Sequence, residues 1–137
     1  MSLCLAAGAL SATLAVNSFT LAWTHSIEKV RWEEDWRIEG RQLAIVAARI
    51  QGFGAGMEAP DDAVLRDGYW HYRPSVAPLA TLSLAHSPYT AGYELCLAGA
   101  CRPLVDFLPG IGDSATIVVT ACAAAAAGES APPGRLR

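Results

Sequence analysis

Residues 19–39 alternate between apolar and polar side chains with a period of two, and this pattern constrains the fold more than any other. Successive side chains of a β-strand point to opposite faces, so a period of two is typical of a half-buried strand. A short connection divides the segment into two such strands. One face would carry apolar residues and a single carboxylate, Glu34: Phe19, Leu21, Trp23 and His25 in the first strand, and Val30, Trp32, Glu34, Trp36 and Ile38 in the second.

The rest of the chain repeats this signal between turns rich in Gly and Pro, which predicts further strands. These strands lie at residues 3–14, as a hairpin, and at 43–50, 69–72, 79–86, 93–97 and 116–122. The length of 137 residues is enough for one sizeable core. We therefore expect a single all-β domain over residues 1–122, built as a small antiparallel β-sandwich or barrel. Residues 123–137, rich in Ala, Gly and Pro, are expected to form a disordered tail.

The chain also echoes itself at a spacing of 61 residues (81 − 20). This shift aligns Thr20-Leu21 with Thr81-Leu82, and His25-Ser26 with His86-Ser87. The echo predicts two pseudo-repeated hairpin units, unless it reflects only the general likeness of alternating strands.

The composition excludes several classes of function. Ten Lys and Arg against 13 Asp and Glu give a net charge of −3, which does not attract a phosphate backbone, so nucleic-acid binding is not expected. The cysteines and histidines lack zinc-site spacing, and we expect no metal and no other cofactor. Residues 3–16 are apolar, but they are too short to span a bilayer and lack a basic flank. We therefore expect a hairpin there, not a transmembrane segment or a signal peptide.

Two cysteines, Cys96 and Cys101, flank the tetrapeptide Leu97-Ala98-Gly99-Ala100. A tight hairpin at this tetrapeptide would bring the two sulfurs together as a disulfide. Two reduced and buried thiols are the alternative.

The carboxylate of Glu34 needs a partner if it is buried on an aromatic face, because an unpaired buried charge is costly. We expect that partner to be His25 or an Arg from another strand. A structural hydrogen bond that fixes the hairpin register is favoured over a ligand site on the same groups, and acid–base catalysis is the least favoured use of them. His25 and Ser26 are adjacent in a strand and point to opposite faces, so they cannot form a catalytic pair with each other.

Three glycines, Gly52, Gly54 and Gly56, follow the strand at 43–50. Their spacing does not match the dinucleotide motif G-x-G-x-x-G, so nucleotide binding is not expected. The glycines instead predict a structured loop with positive φ angles or close backbone contacts, beside the His25 strand. Backbone N–H groups of such a loop could line a small anion pocket.

The motifs at residues 23–29, 32–36 and 52–57 resemble those of the bacterial DUF1850 family: Trp23-Thr24-His25-Ser26-Ile27-Glu28-Lys29, Trp32-Glu33-Glu34-Asp35-Trp36 and Gly52-Phe53-Gly54-Ala55-Gly56-Met57. The resemblance extends over about residues 3–122. It implies a small protein of unknown function that is often encoded beside TAXI-type TRAP permeases, with a periplasmic or membrane-associated location. The matching positions are His25, Ser26, Glu28, Glu34, Gly54 and Gly56, and no catalytic role comes with them.

Two functions follow as hypotheses. The first is a non-enzymatic accessory protein that contacts a subunit of a TAXI-type TRAP transporter through a sheet edge or the Gly loop. The second is a small-ligand domain for an anion or a carboxylate, with a pocket between the His25 strand and residues 52–57. A pocket lined by His25, Glu34 and Arg residues would favour the ligand, whereas an exposed apolar edge would favour the partner.

Overall fold

The computed structural model describes residues 1–25, 29–52 and 61–123. These ranges hold eleven strands and one short 3-10 helix, Leu104–Phe107. The strands are β1 (Ser2–Ala7), β2 (Leu10–Leu14), β3 (Ser18–Thr24), β4 (Arg31–Glu39), β5 (Gln42–Gln51), β6 (Val64–Arg66), β7 (Tyr69–Tyr72), β8 (Thr81–His86), β9 (Glu94–Leu97), β10 (Ala100–Pro103) and β11 (Ala115–Cys122).

The strands form two antiparallel sheets that pack face to face. One sheet has four strands in the order β2-β1-β11-β8, and the other has seven in the order β10-β9-β3-β4-β5-β7-β6. Apolar side chains from the inner faces of both sheets form one core. The all-β prediction is therefore confirmed, and of the two predicted architectures the chain adopts the sandwich.

The core is formed by the apolar side chains that the period-two pattern places on one face of each strand. Leu3 and Leu5 of β1 and Ile117 and Val119 of β11 are at most 2% exposed. They face the inner side chains of β3, β4, β5 and β9, among them Leu21 and Leu95. The predicted aromatic face of β3 and β4 is thus the inner face of the seven-stranded sheet.

The predicted pseudo-repeat is wrong. β3 pairs directly with β4, whereas their counterparts at a shift of 61 residues, β8 and β9, lie in different sheets. The counterpart of β5 is the 3-10 helix with the irregular chain that follows it. The echo arose because every half-buried strand alternates in the same way, and alternation does not specify a partner strand.

Most predicted strands are present, but the edge strand β6 and the 3-10 helix were not predicted, and β10 was expected only as part of the hairpin that would form a Cys96–Cys101 disulfide. β6 and β10 are three and four residues long and are exposed throughout, so they carry no alternation of burial. The predicted disordered tail lies, except for Ala123, outside the described residues. The described part of the chain has no helix with the length and hydropathy needed to cross a bilayer.

All four cysteines form disulfides, which are Cys96–Cys101 and Cys4–Cys122. Cys96 and Cys101 lie directly opposite each other in the β9–β10 hairpin. Its turn has positive φ at Ala98 and at Gly99, as a tight two-residue turn requires. The second disulfide joins β1 to β11 across a sequence separation of 118 residues, which local spacing could not reveal.

Candidate functional site

The outer face of the seven-stranded sheet carries a network of charged side chains that spans four strands. Thr20 lies on β3, Glu33 and Asp35 on β4, Arg49 on β5 and Glu94 on β9, while Arg31 begins β4. The register brings them together, because Thr20 is opposite Asp35 and Glu33 is opposite Arg49. We call these six residues the outer-face network.

Arg49 is the centre of this network. Its Nε donates a hydrogen bond to Glu33 at 2.6 Å, and its two terminal nitrogens bind the two oxygens of Asp35 at 2.9 and 3.0 Å. The hydroxyl of Thr20 donates to Asp35 at 2.6 Å. Arg31 joins the other side of Glu33, also at 2.6 Å, to Glu94 at 2.9 Å. A bidentate Arg–carboxylate pair of this kind fixes geometry as well as charge.

The network keeps its carboxylates ionised. Burial alone would raise the pKa of Glu33, but hydrogen bonds from Arg31 and Arg49 outweigh it and hold that pKa below its usual value. Burial opposes the shift at Asp35 too, where Arg49 and Thr20 lower the pKa. The bidentate contact with Asp35 raises the pKa of Arg49. These side chains bind one another and have little capacity left for proton transfer.

An open concavity of about 680 Å³ lies over this network. Its walls include Thr20, Asp35, Arg37 and Arg49, with the Cys96–Cys101 disulfide and the Gly99 turn at one end. Arg49 is already bound by two carboxylates, and Arg37 forms an ion pair with Glu39. The charges of its described lining residues are therefore close to balanced, and each arginine among them is already in an ion pair.

Glu34 lies on the opposite, inner face, as predicted from the alternation. It is paired across the sheet with Leu21 on one side and Ala48 on the other, both nearly fully buried. The Trp36 Nε1–H donates a hydrogen bond to Glu34 Oε1 at 3.2 Å. Burial raises the pKa of Glu34 above its usual value, and the hydrogen bond from Trp36 offsets only part of that rise.

The predicted partner of Glu34 was wrong, because the donor is Trp36 and neither His25 nor an Arg. His25 follows β3, where its N–H bonds to the Val30 carbonyl at 2.9 Å, and its ring stacks on Trp32 at 6.1 Å. The Trp23–Trp32 pair lies between this position and Glu34. His25 is four residues further along the chain than Leu21, which lies opposite Glu34, and four steps of an extended strand place the two positions about 13 Å apart. Arg31 and Arg49 lie on the other face.

Four predicted site residues, Ser26, Glu28, Gly54 and Gly56, lie outside the described residues. Gly52, at the start of the Gly loop, is described and shows the predicted close approach. A Cβ there would lie 3.1 Å from the Gly68 carbonyl oxygen and 3.2 Å from the Leu65 side chain. Gly52 N–H also donates to that carbonyl at 2.8 Å. The glycine thus lets β5 end directly against the β6–β7 turn.

The β6 edge closes one end of the seven-stranded sheet and was not predicted from the sequence. We use "the β6 edge" for the strand Val64–Arg66. Val64 is 58% exposed and Leu65 is 54% exposed, which places both among the most exposed large apolar residues that the structure describes. Within the sheet, β6 pairs with β7 along one side, and no described strand pairs with its other side. The β6 edge is a short apolar strand with a free side in the described structure.

A family model covers the strands that build both the outer-face network and the β6 edge. The model for the domain of unknown function DUF1850 matches residues 19–104, which is more than half of the chain. The chain belongs to the DUF1850 family. In this DUF1850 protein the match runs from β3 to β10, whereas β1, β2 and β11 lie outside it. No curated protein and no solved structure is significantly similar to the chain.

Proposed function

We propose that this DUF1850 protein is a non-enzymatic accessory protein that binds a subunit of a TAXI-type TRAP solute transporter through the β6 edge. The proposal has two parts with different support. Binding to a partner is supported by the exposed apolar strand. The transporter as the partner is supported by the family resemblance, because relatives are often encoded beside TAXI-type permeases.

The exposed strand Val64–Arg66 is the observation that carries the proposal. A free strand edge presents backbone N–H and C=O groups to any extended segment that can pair with them. Proteins usually protect such edges with charge or by covering them, yet Val64 and Leu65 are more than half exposed. An apolar edge of this kind was the feature expected to separate partner binding from ligand binding.

The disulfides support a location compatible with this partner. All four cysteines are paired, and paired cysteines persist in oxidising compartments such as the bacterial periplasm. A substrate-binding subunit of a TRAP transporter would be met in the same compartment. The disulfides therefore agree with the location that the family resemblance implies.

The small-ligand alternative has less support. Its pocket would need His25 and Glu34 on one wall, but neither residue lines the concavity over the outer-face network. The two residues also lie apart on the inner face, with the Trp23–Trp32 pair between their positions. An enzyme that uses His25 and Glu34 together has the same difficulty, because acid–base partners must be within hydrogen-bond reach.

The test is a pull-down of the tagged protein from detergent-solubilised membranes of the native bacterium, followed by mass spectrometry. We expect the native protein to recover a TRAP permease or its binding protein, and Leu65→Asp to lose it, because a charge on the apolar edge disfavours strand addition. Tyr89→Asp is the matched control, since Tyr89 is 90% exposed and lies outside the seven-stranded sheet. Equal recovery by native protein and Leu65→Asp would contradict docking at the β6 edge.

A further inference from the structure

We infer that the β6 edge accepts an extended partner segment in which apolar and acidic residues alternate. This inference rests on the proposed function, because it takes the β6 edge as the docking site, and it adds the chemistry of the segment that docks there. The inner face of β6 is apolar and its outer face is positively charged. Each face therefore selects one of the two alternating residue types of the partner segment.

The inner face of β6 ends an apolar row that crosses five strands. The row runs Trp23, Trp32, Ile50, Trp70 and Leu65, each directly opposite the next in the sheet register. Leu65 is its last member and is 54% exposed. An apolar side chain on an added strand would lie directly opposite Leu65 and cover it, because side chains opposite each other in an antiparallel pair are about 5 Å apart.

Two arginines without an ion pair to a described residue lie on the outer face at this end of the sheet, Arg66 in β6 and Arg73 just after β7. Arg66 and Arg73 are exposed and form no ion pair with any described residue, whereas Arg31, Arg37 and Arg49 all do. Both unpaired arginines line a second concavity, of about 250 Å³, together with Val64 and His71. Among the described residues, no carboxylate lines this concavity. Asp61, Asp62 and Asp67 lie outside its lining, and Asp62 acts on the lining residue Tyr72, whose pKa is raised by burial, by Glu34 and by Asp62.

His71 holds the Arg66 side chain at this concavity. Arg66 Nη2 lies 3.2 Å from His71 Nδ1, and His71 Nε2 lies 3.2 Å from the Arg66 carbonyl oxygen. An arginine can only donate and a carbonyl can only accept, so the two contacts are satisfied together when Nδ1 accepts from Arg66 and Nε2–H donates to the carbonyl. The guanidinium of Arg66 carries its own positive charge, which is available to a carboxylate.

The concavity also has a structural cause in the chain after β7. β7 pairs with β5 only up to Ala48, and the next contact on that side is the isolated bridge between Leu43 and Leu79. Pro74 and Pro78 lie in between and cannot donate backbone hydrogen bonds to a ladder. The chain consequently leaves the sheet at Arg73, which opens a space beside β5 that is bordered by two guanidinium groups.

These two faces specify the partner segment. Alternate residues of an added strand point to opposite faces, so one set would extend the row that ends at Leu65 and the other set would lie beside Arg66, with Arg73 adding positive charge on the same face. Apolar residues suit the first set, and Glu or Asp suits the second. A lysine in the second set would be repelled by the same arginines.

The test uses fluorescence anisotropy with labelled nine-residue peptides of alternating Val and Glu, or of alternating Val and Lys. We expect the native protein to bind the acidic peptide at least about tenfold more tightly than the basic one at low salt. The double variant Arg66→Gln with Arg73→Gln should lose about tenfold in affinity for the acidic peptide. Arg41→Gln is the matched control, because Arg41 is an exposed arginine in the β4–β5 turn and should bind as the native protein does.

Equal binding of the two peptides, or an unchanged affinity in the double arginine variant, would overturn the inference. Its failure can be told apart from failure of the proposed function. If only the inference fails, Leu65→Asp loses the membrane partner while the double arginine variant keeps it. If only the transporter assignment fails, no TRAP subunit is recovered, yet the acidic peptide still depends on Arg66 and Arg73.

Discussion

Glu34 shows how a single carboxylate can be partly buried on the inner face of a sheet at a cost that depends on pH. Its native-state pKa is raised, first by burial, so the native state keeps this proton at pH values where the unfolded chain has released it. The native state then binds more protons, and the free energy of unfolding falls as the pH rises from the unfolded pKa through the folded pKa. The contribution of Glu34 is thus most favourable in acid.

We predict that Glu34→Gln makes the protein more stable at pH 7.5, by about 1 kcal/mol, and leaves it nearly unchanged near pH 4. Glutamine keeps the acceptor for Trp36 and removes the charge that is costly to bury. Urea unfolding at the two pH values measures the difference. Glu39→Gln serves as control, because Glu39 is exposed on the same strand. A Glu34→Gln protein that is less stable than native at pH 7.5 would contradict this account.

At the scale of the elements, Arg49 is the residue that ties β3, β4 and β5 together on the outer face. Arg49→Gln removes the ion pairs to Glu33 and Asp35, and we expect it to cost about 2 kcal/mol at neutral pH. The pKa values of both carboxylates are lowered in the native state, so their contribution is present above the unfolded pKa and is lost as the pH falls through the folded values. Urea unfolding should therefore show a smaller cost near pH 2 than at pH 7, with Arg37→Gln as the exposed control.

The same strands show what the sequence could and could not predict. The alternation correctly predicted strands β3, β4 and β5 and the position of Glu34 on the inner face. It could not predict the contacts of the outer-face network, because a bulge at Val46 changes the register between β4 and β5. Trp36 pairs with Ile45, but Asp35 pairs with Ala47. Without that extra residue, Glu33 would face Ala48, and Arg49 would point into the core. A bulge leaves no mark in the alternation of β4, so the partners of its charges were hidden.

The partner of Glu34 was missed for a related reason. Charge and polarity in the sequence pointed to His25 or an arginine, but the donor is the indole N–H of Trp36, two residues along the same strand. Trp36 was counted as an apolar residue, although tryptophan also carries one hydrogen-bond donor. A neighbour on the same face of a strand is within reach of a long side chain, so this pair could have been considered from the spacing alone.

At the scale of the whole molecule, two disulfides of very different span hold the sandwich. Cys4–Cys122 joins β1 and β11, the central strands of the four-stranded sheet, which lie outside residues 19–104 matched by the family model. Cys96–Cys101 closes only a hairpin within the matched part. The sheet that has three of its four strands outside the family match is therefore the one secured over the longest stretch of chain.

We predict that the two disulfides differ in their effect on stability according to the length of chain they close. In the chain-entropy view, a link across 118 residues restricts the unfolded state by about 5 kcal/mol and a link across five residues by about 2 kcal/mol. Cys4→Ser with Cys122→Ser should therefore lower the free energy of unfolding more than Cys96→Ser with Cys101→Ser, as measured by urea unfolding of both double variants beside the native protein.

Both variants should still fold, because β1 and β11 remain paired over five residue pairs and β9 and β10 over four. A larger loss from the hairpin variant would mean that Cys96–Cys101 acts mainly on the native state, where it lines the concavity over the outer-face network.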